Sequence, residues 1–371
     1  MSFDRASARM ILAGLPGMGP VLYGKLEARL EGAVERLLEG GAEAEALCHR
    51  GLREQLRNWQ RHMPLEKVEA ALEEMGADYV SRGRGGYPEE LAPYADRPIG
   101  LYRYRAGKRL EGSCIAIVGT RRPSGYGRKM ARIFAGELSG HGWTVVSGMA
   151  EGIDTEVHEA ALAAGGRTAA VLGGGLKRCY PRGNRALMER IADSAGVWTE
   201  FPLWRQADRR TFPQRNRIVS GVSRGVLVME SGEHGGSLIT ARMAAEQGKP
   251  VYVLPGRVDM PESAGCHALI RDGAQLVTCV EEVLEDLQAL PRGLDRRVCA
   301  QAATGANGAT EPELEGLQGD LWRHLRDGQP QHPDRLVQVS EANGPEVQLA
   351  LLEMEMAGHV ARGLDGRYVR S

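Results

Sequence analysis

Apolar positions follow three rhythms in three successive zones of the chain. From residue 4 to about 62 they recur at helical spacing, in RASARMILAGL, GPVLYGKLEARL, AVERLLEG and LCHRGLREQLRNW. Residues three and four apart share one face of a helix, so this zone predicts short packed helices. From residue 114 the pattern becomes short continuous apolar runs: CIAIVG (114–119), TVVSG (144–148), TAAVLG (168–173), VWTEF (197–201), GVLVMES (225–231), PVYVLPG (250–256) and QLVT (275–278). Between them the helical rhythm returns, as in MARIFAGELSGHG and ITARMAAEQG. Apolar strands alternating with helices predict a parallel sheet covered on both faces. From about 313 to 371 the pattern reads as three helices and a hairpin turning at Asp365-Gly366, the outline of a small winged helix. Pro291 to Pro312, rich in Ala, Gly and Thr, carries neither rhythm and predicts a linker.

Composition adds bounds. The 371 residues, 42% of them apolar, suffice for two or three domains, and the formal net charge is −1. Any polyanion partner must therefore be met by local clustering. Cys114 to Arg185 holds ten Lys/Arg against five Asp/Glu, and Trp204 to Arg224 holds six Arg against one Asp. The six cysteines form no CxxC pair and no Cys/His cluster, which predicts reduced, structural thiols. The absence of an apolar run of about 18 residues predicts a soluble, cytoplasmic protein without membrane partners.

Ligands of open parallel sheets bind beyond the carboxyl ends of the strands. The basic and glycine-rich loops all follow strands in that sense. In the first, Gly119 to Gly127, glycines permit close backbone approach, Thr120 and Ser124 offer hydroxyls, and Arg121 and Arg122 can clamp phosphate oxygens. A strand, a glycine loop and a helix start together form an anion site. In the second, SGMAEGIDTEVHEAAL, Asp154 and His158 share a helix face. They can serve as acid–base machinery or as a cap with a structural hydrogen bond; with Ser147 the one nearby nucleophile, the structural role is preferred. In the third, Lys177, Arg178, Arg182 and Arg185 surround Tyr180, with Asn184 closing the YPRGN segment. Cations along a backbone and a ring for base stacking suit an unpaired strand. In the fourth, Arg215 and Arg217 flank Asn216; two apart, they lie on different faces of a helix, and one can hold the protein's own loops. In the fifth, Gly235, Gly236 and Ser237 precede a helix with Thr240 one turn in, a second anion nest.

The segments IAIVGTRRPSGYG, SGMAEGIDTEVHEAAL, AAVLGGGLKRCYPRGN, TEFP with FPQRNRIVSGVS, GSLITARMAAEQGKPVYVLPG and GCHALIRDGA, in order over roughly 114 to 276, resemble the DNA-processing protein A (DprA, or Smf) family. The resemblance implies an α/β protein. Its layout would be a SAM- or helix-hairpin-helix-like helical domain over 1–65, an extended Rossmann-like core over 66–290, a linker over 291–312 and a winged-helix domain over 313–371. It further implies single-stranded DNA binding, a homodimer built on the core, and handover of the strand to the recombinase RecA during natural transformation. By motif, Arg121 and Arg182 are similar to the family's strand-contacting cations, joined by Arg215 and Arg217, while Gly119, Ser124, Gly236 and Ser237 correspond to its phosphate contacts. The chain departs from the family's Ser-Gly-Ser at Gly235-Gly236-Ser237, and it has two arginines, Arg121 and Arg122, where some relatives have one.

The function expected is a non-enzymatic mediator with no catalytic residue, cofactor or metal. The alternative is a Rossmann-like hydrolase of nucleotide glycosidic bonds, of the lonely-guy type. Against it, Ala241 and Arg242 stand where that group's PGGxGTxxE signature carries acid, leaving Glu230 as the substitute. A third reading, a sequence-specific regulator acting through the winged helix, meets a recognition segment, PEVQLALLEMEMAG, with three glutamates and no cation.

Overall fold

The computed structural model describes residues 5–39, 46–110, 113–287, 314, 316–325, 331–340, 342–357, 359–362 and 368–370. The predicted linker over 291–312 and the Asp365-Gly366 turn lie outside the described residues. Two compact units divide the chain, Met1–Leu294 and Asp295–Ser371.

The first unit opens with helices α1 (Arg5–Ala13), α2 (Pro20–Arg29), α3 (Arg36–Glu39), α4 (Arg50–Arg57), α5 (Trp59–His62) and α6 (Leu65–Met75). Two strands follow, β1 (Ala77–Ser81) and β2 (Gly100–Tyr104). The alternating part then runs β3 (Cys114–Val118), α7 (Gly125–Gly140), β4 (Thr144–Ser147), α8 (Ile153–Ala163), β5 (Arg167–Val171), α9 (Arg185–Ser194), β6 (Val197–Thr199), α10 (Thr211–Val222), β7 (Val226–Val228), α11 (Gly236–Glu246), β8 (Val251–Val253), α12 (Ala264–Arg271), β9 (Gln275–Leu276) and α13 (Val280–Asp286). One nine-stranded sheet results, in the order β1-β2-β6-β5-β4-β3-β7-β8-β9. It is parallel from β6 to β9. At the other end β1 and β2 pair antiparallel with each other, and β2 pairs antiparallel with β6.

Successive side chains of a strand point to opposite faces, and β3 divides its residues accordingly. Ala116 and Val118 join Val146, Ile218, Val219 and Ala241 under α10 and α11. Ile115 and Ile117 join Phe134, Val145, Val157 and Val283 under α7, α8 and α13. A strand buried on both faces reads as an unbroken apolar run, which is why the central runs became strands; the edge strand β9 is exposed at both of its residues. The β1–β2 pair was not legible that way. Asp78 and Arg103 interrupt its apolar pattern, and they satisfy each other, Arg103 Nε donating to Asp78 Oδ1 at 2.8 Å across the ladder. The N-terminal helices do not stand apart from the sheet. Met10 and Ile11 of α1 share a core with Val68, Tyr102, Tyr104, Leu187 and Ile191.

From β3 the chain steps outward through β4, β5 and β6. It then returns to the other side of β3 and steps away again through β7, β8 and β9. The crevice between the carboxyl ends of β3 and β7 is the topological switch point.

The second unit carries α14 (Gly316–His324), α15 (Pro333–Ser340), α16 (Gly344–Met356) and the hairpin β10 (Val360–Arg362) and β11 (Tyr368–Arg370). Leu321, Leu336, Val347, Leu351 and Val360 form its core. Asn343 and Glu346 cap α16 reciprocally: Glu346 N donates to Asn343 Oδ1 at 3.0 Å and Asn343 N to Glu346 Oε2 at 3.3 Å. Its exposed positions include Glu346, Leu349, Leu352 and Glu353.

Trp198 on β6 is fully buried where the parallel and antiparallel parts of the sheet meet, with its Nε1 donating to Ala195 O at 3.0 Å. Trp198→Ala is expected to lower unfolding free energy by about 3–5 kcal/mol in chemical denaturation. A loss under about 1 kcal/mol would mean that this seam does not carry the fold.

Candidate functional site

The switch point opens into a cavity of about 330 Å³. Four of the chemistry-bearing loops meet around it. Gly119, Thr120 and Arg121 come from the β3 loop, Gly148, Ala150 and Asp154 from the β4 loop, Phe212, Arg215 and Asn216 from α10, and Gly235, Gly236, Ser237 and Thr240 from the start of α11.

Arg215 lines the cavity and is only 6% exposed. Its Nη1 donates to Val171 O, at the end of β5, at 2.7 Å, while its Nε is buried without a partner. Gly148 is what admits it, because a Cβ at that position would overlap the guanidinium. Burial pulls the Arg215 pKa down from the usual arginine range, Asp154 opposes that, and Arg121 adds to it. Asp154 is buried too and accepts from Gly148 N at 3.1 Å and Ala150 N at 3.3 Å. Burial raises its pKa, against the pull of Arg215 and those backbone donors.

Asp154 and His158 do not act as an acid–base pair. His158 Nδ1 lies 2.7 Å from Thr168 Oγ1, whose own hydrogen goes to Val145 O at 2.8 Å. Nδ1 must therefore donate, so the neutral ring carries its proton there. Burial, with Arg215 nearby, holds the His158 pKa down at about 3.

The two helix starts that the sequence offers for anions differ in occupancy. At α7, Ser124 caps the helix, its Oγ accepting from Gly127 N at 3.0 Å. Ser124 N in turn donates to Glu230 Oε2 at 2.8 Å. The protein's own carboxylate thus occupies that N-terminus, and Gly127 leaves room for it, since a Cβ would meet Glu230 Oε2. Glu230, the residue left to a hydrolase in place of the missing signature acid, is 5% exposed and engaged with the Ser124 N–H. At α11, Gly235, Gly236 and Ser237 face the cavity, and Ser237 Oγ donates to Ser231 Oγ at 2.8 Å.

Above the cavity an aromatic and cationic ridge crosses three loops. Arg121 lies over the Phe212 ring at 5.0 Å, and the Tyr180 ring stands 5.9 Å from Phe212. Tyr180 is 52% exposed. Phe212 links the β3 loop, the β5 loop and α10, and sequence reasoning missed it; its place beside the RRTFPQRNR arginines was the one available signal. Arg209 and Arg210, exposed just before it, were also passed over.

The remaining candidates divide by surroundings. Arg122, Arg178 and Arg182 are exposed, and among the described residues none forms an ion pair. Lys177 pairs with Glu74 at 2.5 Å. Asn184 braces the β4 loop, its Nδ2 donating to Met149 O at 3.1 Å and Thr155 Oγ1 at 2.9 Å. That loop needs the brace, because Met149 adopts a left-handed φ of 58°. Arg217 is turned away from the cavity and paired with Glu200 and with Asp96. Among the described residues, no helix is long and apolar enough to cross a membrane.

Comparison with known proteins identifies the relatives. The family model described as DNA recombination-mediator protein A matches residues 78–288, and that of the DprA winged helix domain matches 305–366. Protein Smf of Escherichia coli is 37% identical over 325 residues, covering 85% of this chain and 84% of that one. DNA processing protein DprA of Bacillus subtilis is 38% identical over 229 residues, 62% of this chain and 77% of that one. Among solved structures, DprA of Streptococcus pneumoniae superposes with a TM-score of 0.64 at 31% identity, covering 77% of this chain and 98% of that one. DNA processing protein A of Helicobacter pylori, whose structure describes its single-stranded DNA binding mode, gives 0.52 at 29%, covering 57% and 96%.

The buried neutral His158 makes a signed prediction. Its folded pKa of about 3 lies below the ordinary value of 6.5, so the unfolded chain binds more protons between them. Stability should fall as pH drops through that window. Asp154, raised by burial, works in the opposite sense at the acid end. His158→Asn is expected to flatten the decline in Tm between about pH 7 and about pH 4. Parallel Tm profiles for the two proteins would rule out His158 as the origin.

Proposed function

The chain belongs to the DNA recombination-mediator protein A (DprA/Smf) family, and on that premise we propose that it binds single-stranded DNA across the strand ends of its sheet. The carrying observation is the Arg121–Phe212–Tyr180 ridge above a cation-lined cavity. Rings accept any base by stacking, while guanidinium groups follow the phosphates. In this reading Arg121, Arg122, Arg178 and Arg182 contact the backbone of the strand. Gly119, Thr120, Asn216 and the Gly235–Gly236–Ser237 nest with Thr240 shape the cavity below. Arg215 is the buried cation of its lining. Ser124, Asn184, Lys177 and Arg217 support the loops that carry these contacts.

The protein acts, in this proposal, without chemistry of its own. It covers the incoming strand during natural transformation and passes it to RecA, in the cytoplasm and as a homodimer. The sheet offers an open edge at β9, where Leu276 is 45% exposed, with Val258 92% exposed in the loop after β8. An unpaired edge with apolar neighbours is a natural surface for a second copy.

Arg121→Ala combined with Arg182→Ala should weaken oligonucleotide binding at least about tenfold by fluorescence anisotropy, with affinity falling steeply as salt rises. Phe212→Ala should cost about 1–3 kcal/mol of binding with little change in the salt slope, because stacking releases no counterions. Wild-type affinity in the double variant would place the strand elsewhere on the molecule.

A further inference from the structure

We propose that an arginine stripe on α4 and α5 is a second run of backbone contacts for single-stranded DNA, carrying a strand onward from the β5 loop over the N-terminal helices. The inference rests on the strand-binding reading and extends it to a part of the chain that the ridge does not include.

Charge in the N-terminal helices is sharply divided. Between His49 and His62 the chain holds four arginines and one acid, whereas Leu65–Met75 holds four glutamates and one lysine. Arg50, Arg53, Arg57 and Arg61 follow one another at spacings of three and four, so they share one side of the helical path. Leu52, Leu56 and Met63, on the opposite side, are buried. The path breaks only at Asn58, which ends α4 and opens α5. At 1.5 Å per residue the stripe runs for about 16 Å.

These cations are not spent within the protein. Arg50, Arg57 and Arg61 are exposed. Among the described residues Arg50, Arg53 and Arg61 form no ion pair, and Glu54, the one acid of the stripe, pairs with none of them. The Nε of Arg53 is buried without a partner. A solvated helix face gains from Glu–Arg pairs three or four apart, and that gain is not taken here. Arg50 and Arg53 also stand in the first turn of α4, which holds no acid. The positive end of the helix dipole disfavours cations there, so their placement costs stability rather than adding to it.

The fold sets this stripe beside the loop that carries the ridge. Trp59, Met63 and Leu65 pack in the core that also holds Leu176 and Cys179 of the β5 loop, with Leu203 and Trp204. Lys67 stands over the Trp204 ring at 5.0 Å, and Lys177 of the β5 loop pairs with Glu74 at 2.5 Å. Both ends of α6 are thereby fastened to the segment from which Arg178, Tyr180 and Arg182 project. A strand that leaves the ridge on this side has a row of unspent cations along its way. An acidic protein would meet the same charges, but continuity with the ridge favours the strand. No Phe, Tyr or Trp stands on the stripe, since Trp59 packs against the core. Its contacts are therefore to phosphates alone, indifferent to base and fully sensitive to salt.

The test uses the full chain and two oligothymidylates, of about 6 and about 30 nucleotides, with anisotropy read over a salt series. The short strand reads the ridge and the long one reads ridge and stripe together. Arg50→Ala combined with Arg61→Ala should weaken the long strand about fivefold or more at low salt and make its logarithmic salt slope shallower by about 1.4, the share of two phosphates. The short strand should bind as it does to wild type. Arg50→Lys combined with Arg61→Lys should keep the wild-type slope, because the number of charges is unchanged. Both positions are exposed, and an unchanged Tm checks that the variants fold. Equal losses for the two lengths would overturn the stripe as a separate run of contacts. Unchanged affinity for both would overturn it as well and leave the arginines to an acidic protein. In either case binding of the short strand keeps the ridge, whereas a wild-type protein that holds neither length removes the strand-binding reading and the stripe with it.

Discussion

A buried guanidinium ties the ligand end of this sheet together. Arg215 leaves α10, passes over Gly148 and hydrogen-bonds the last carbonyl of β5, so one side chain joins the ends of β4 and β5 to a helix on the sheet's face. Burying an isolated cation costs several kcal/mol even after relaxation. Asp154 supplies the opposing charge, and the N–H groups of Gly148 and Ala150 hold Asp154 in place. The loop after β4 is thereby shaped around the pair, Met149 taking its left-handed conformation where Asn184 can brace it. What makes the cavity cationic is therefore also what fixes its walls. A site built this way is preorganised, because its charge cannot move away without dismantling the loops.

The same logic decides which helix start can receive a ligand. Both α7 and α11 begin at strand ends with glycines, and by sequence α7 is the stronger candidate because two arginines precede it. An unsatisfied N-terminus inside a packed edge needs an acceptor. Glu230 meets that need at α7 from the end of β7, and its backbone carbonyl also takes Thr120 N at 2.7 Å. The carboxylate locks the β3 loop to β7 and so aims Arg121 across the crevice at Phe212. The start of α11, on the other face of the sheet, has no carboxylate seated on it among the described residues. The arginines of the first loop then work from the rim rather than from a phosphate cradle of their own.

Much of this was legible from residue order. The apolar runs of the sheet centre became strands because burial on both faces demands it, the edge run at β9 being exposed, and the five loops fell on one edge because every strand from β3 to β9 runs the same way. The antiparallel pair β1 and β2 was hidden by Asp78 and Arg103, whose mutual bond removes the need for an apolar pattern. Within the site, sequence could count cations but could not tell which were spent. Arg215 and Arg217 stand two apart in one motif, yet one lines the cavity and the other is paired with Glu200, a residue brought near only by the fold. Phe212 escaped for the complementary reason. A lone aromatic between arginines has no periodicity to mark it, and its role exists only once Arg121 and Tyr180 arrive from distant loops.

How charge is spent also bears on the polyanion site proposed for a chain of net charge −1. Ion-paired cations such as Lys177, Arg205 and Arg217 already hold protein carboxylates. They cannot displace counterions from a strand without first giving those partners up. Exposed arginines without an ion pair among the described residues, such as Arg121, Arg122, Arg178, Arg182, Arg209 and Arg210, can, and they lie on or beside the loops that Phe212 draws together. Counterion release scales with the phosphates actually neutralised, so a site of this kind draws less of its affinity from salt-sensitive contacts than the raw arginine count suggests. In the proposed reading the remainder comes from rings, and the two that meet here, Tyr180 and Phe212, are separated by 31 intervening residues and joined only in space. Base stacking of that sort tolerates any sequence, which is the chemistry required of a surface that must accept whatever strand reaches it.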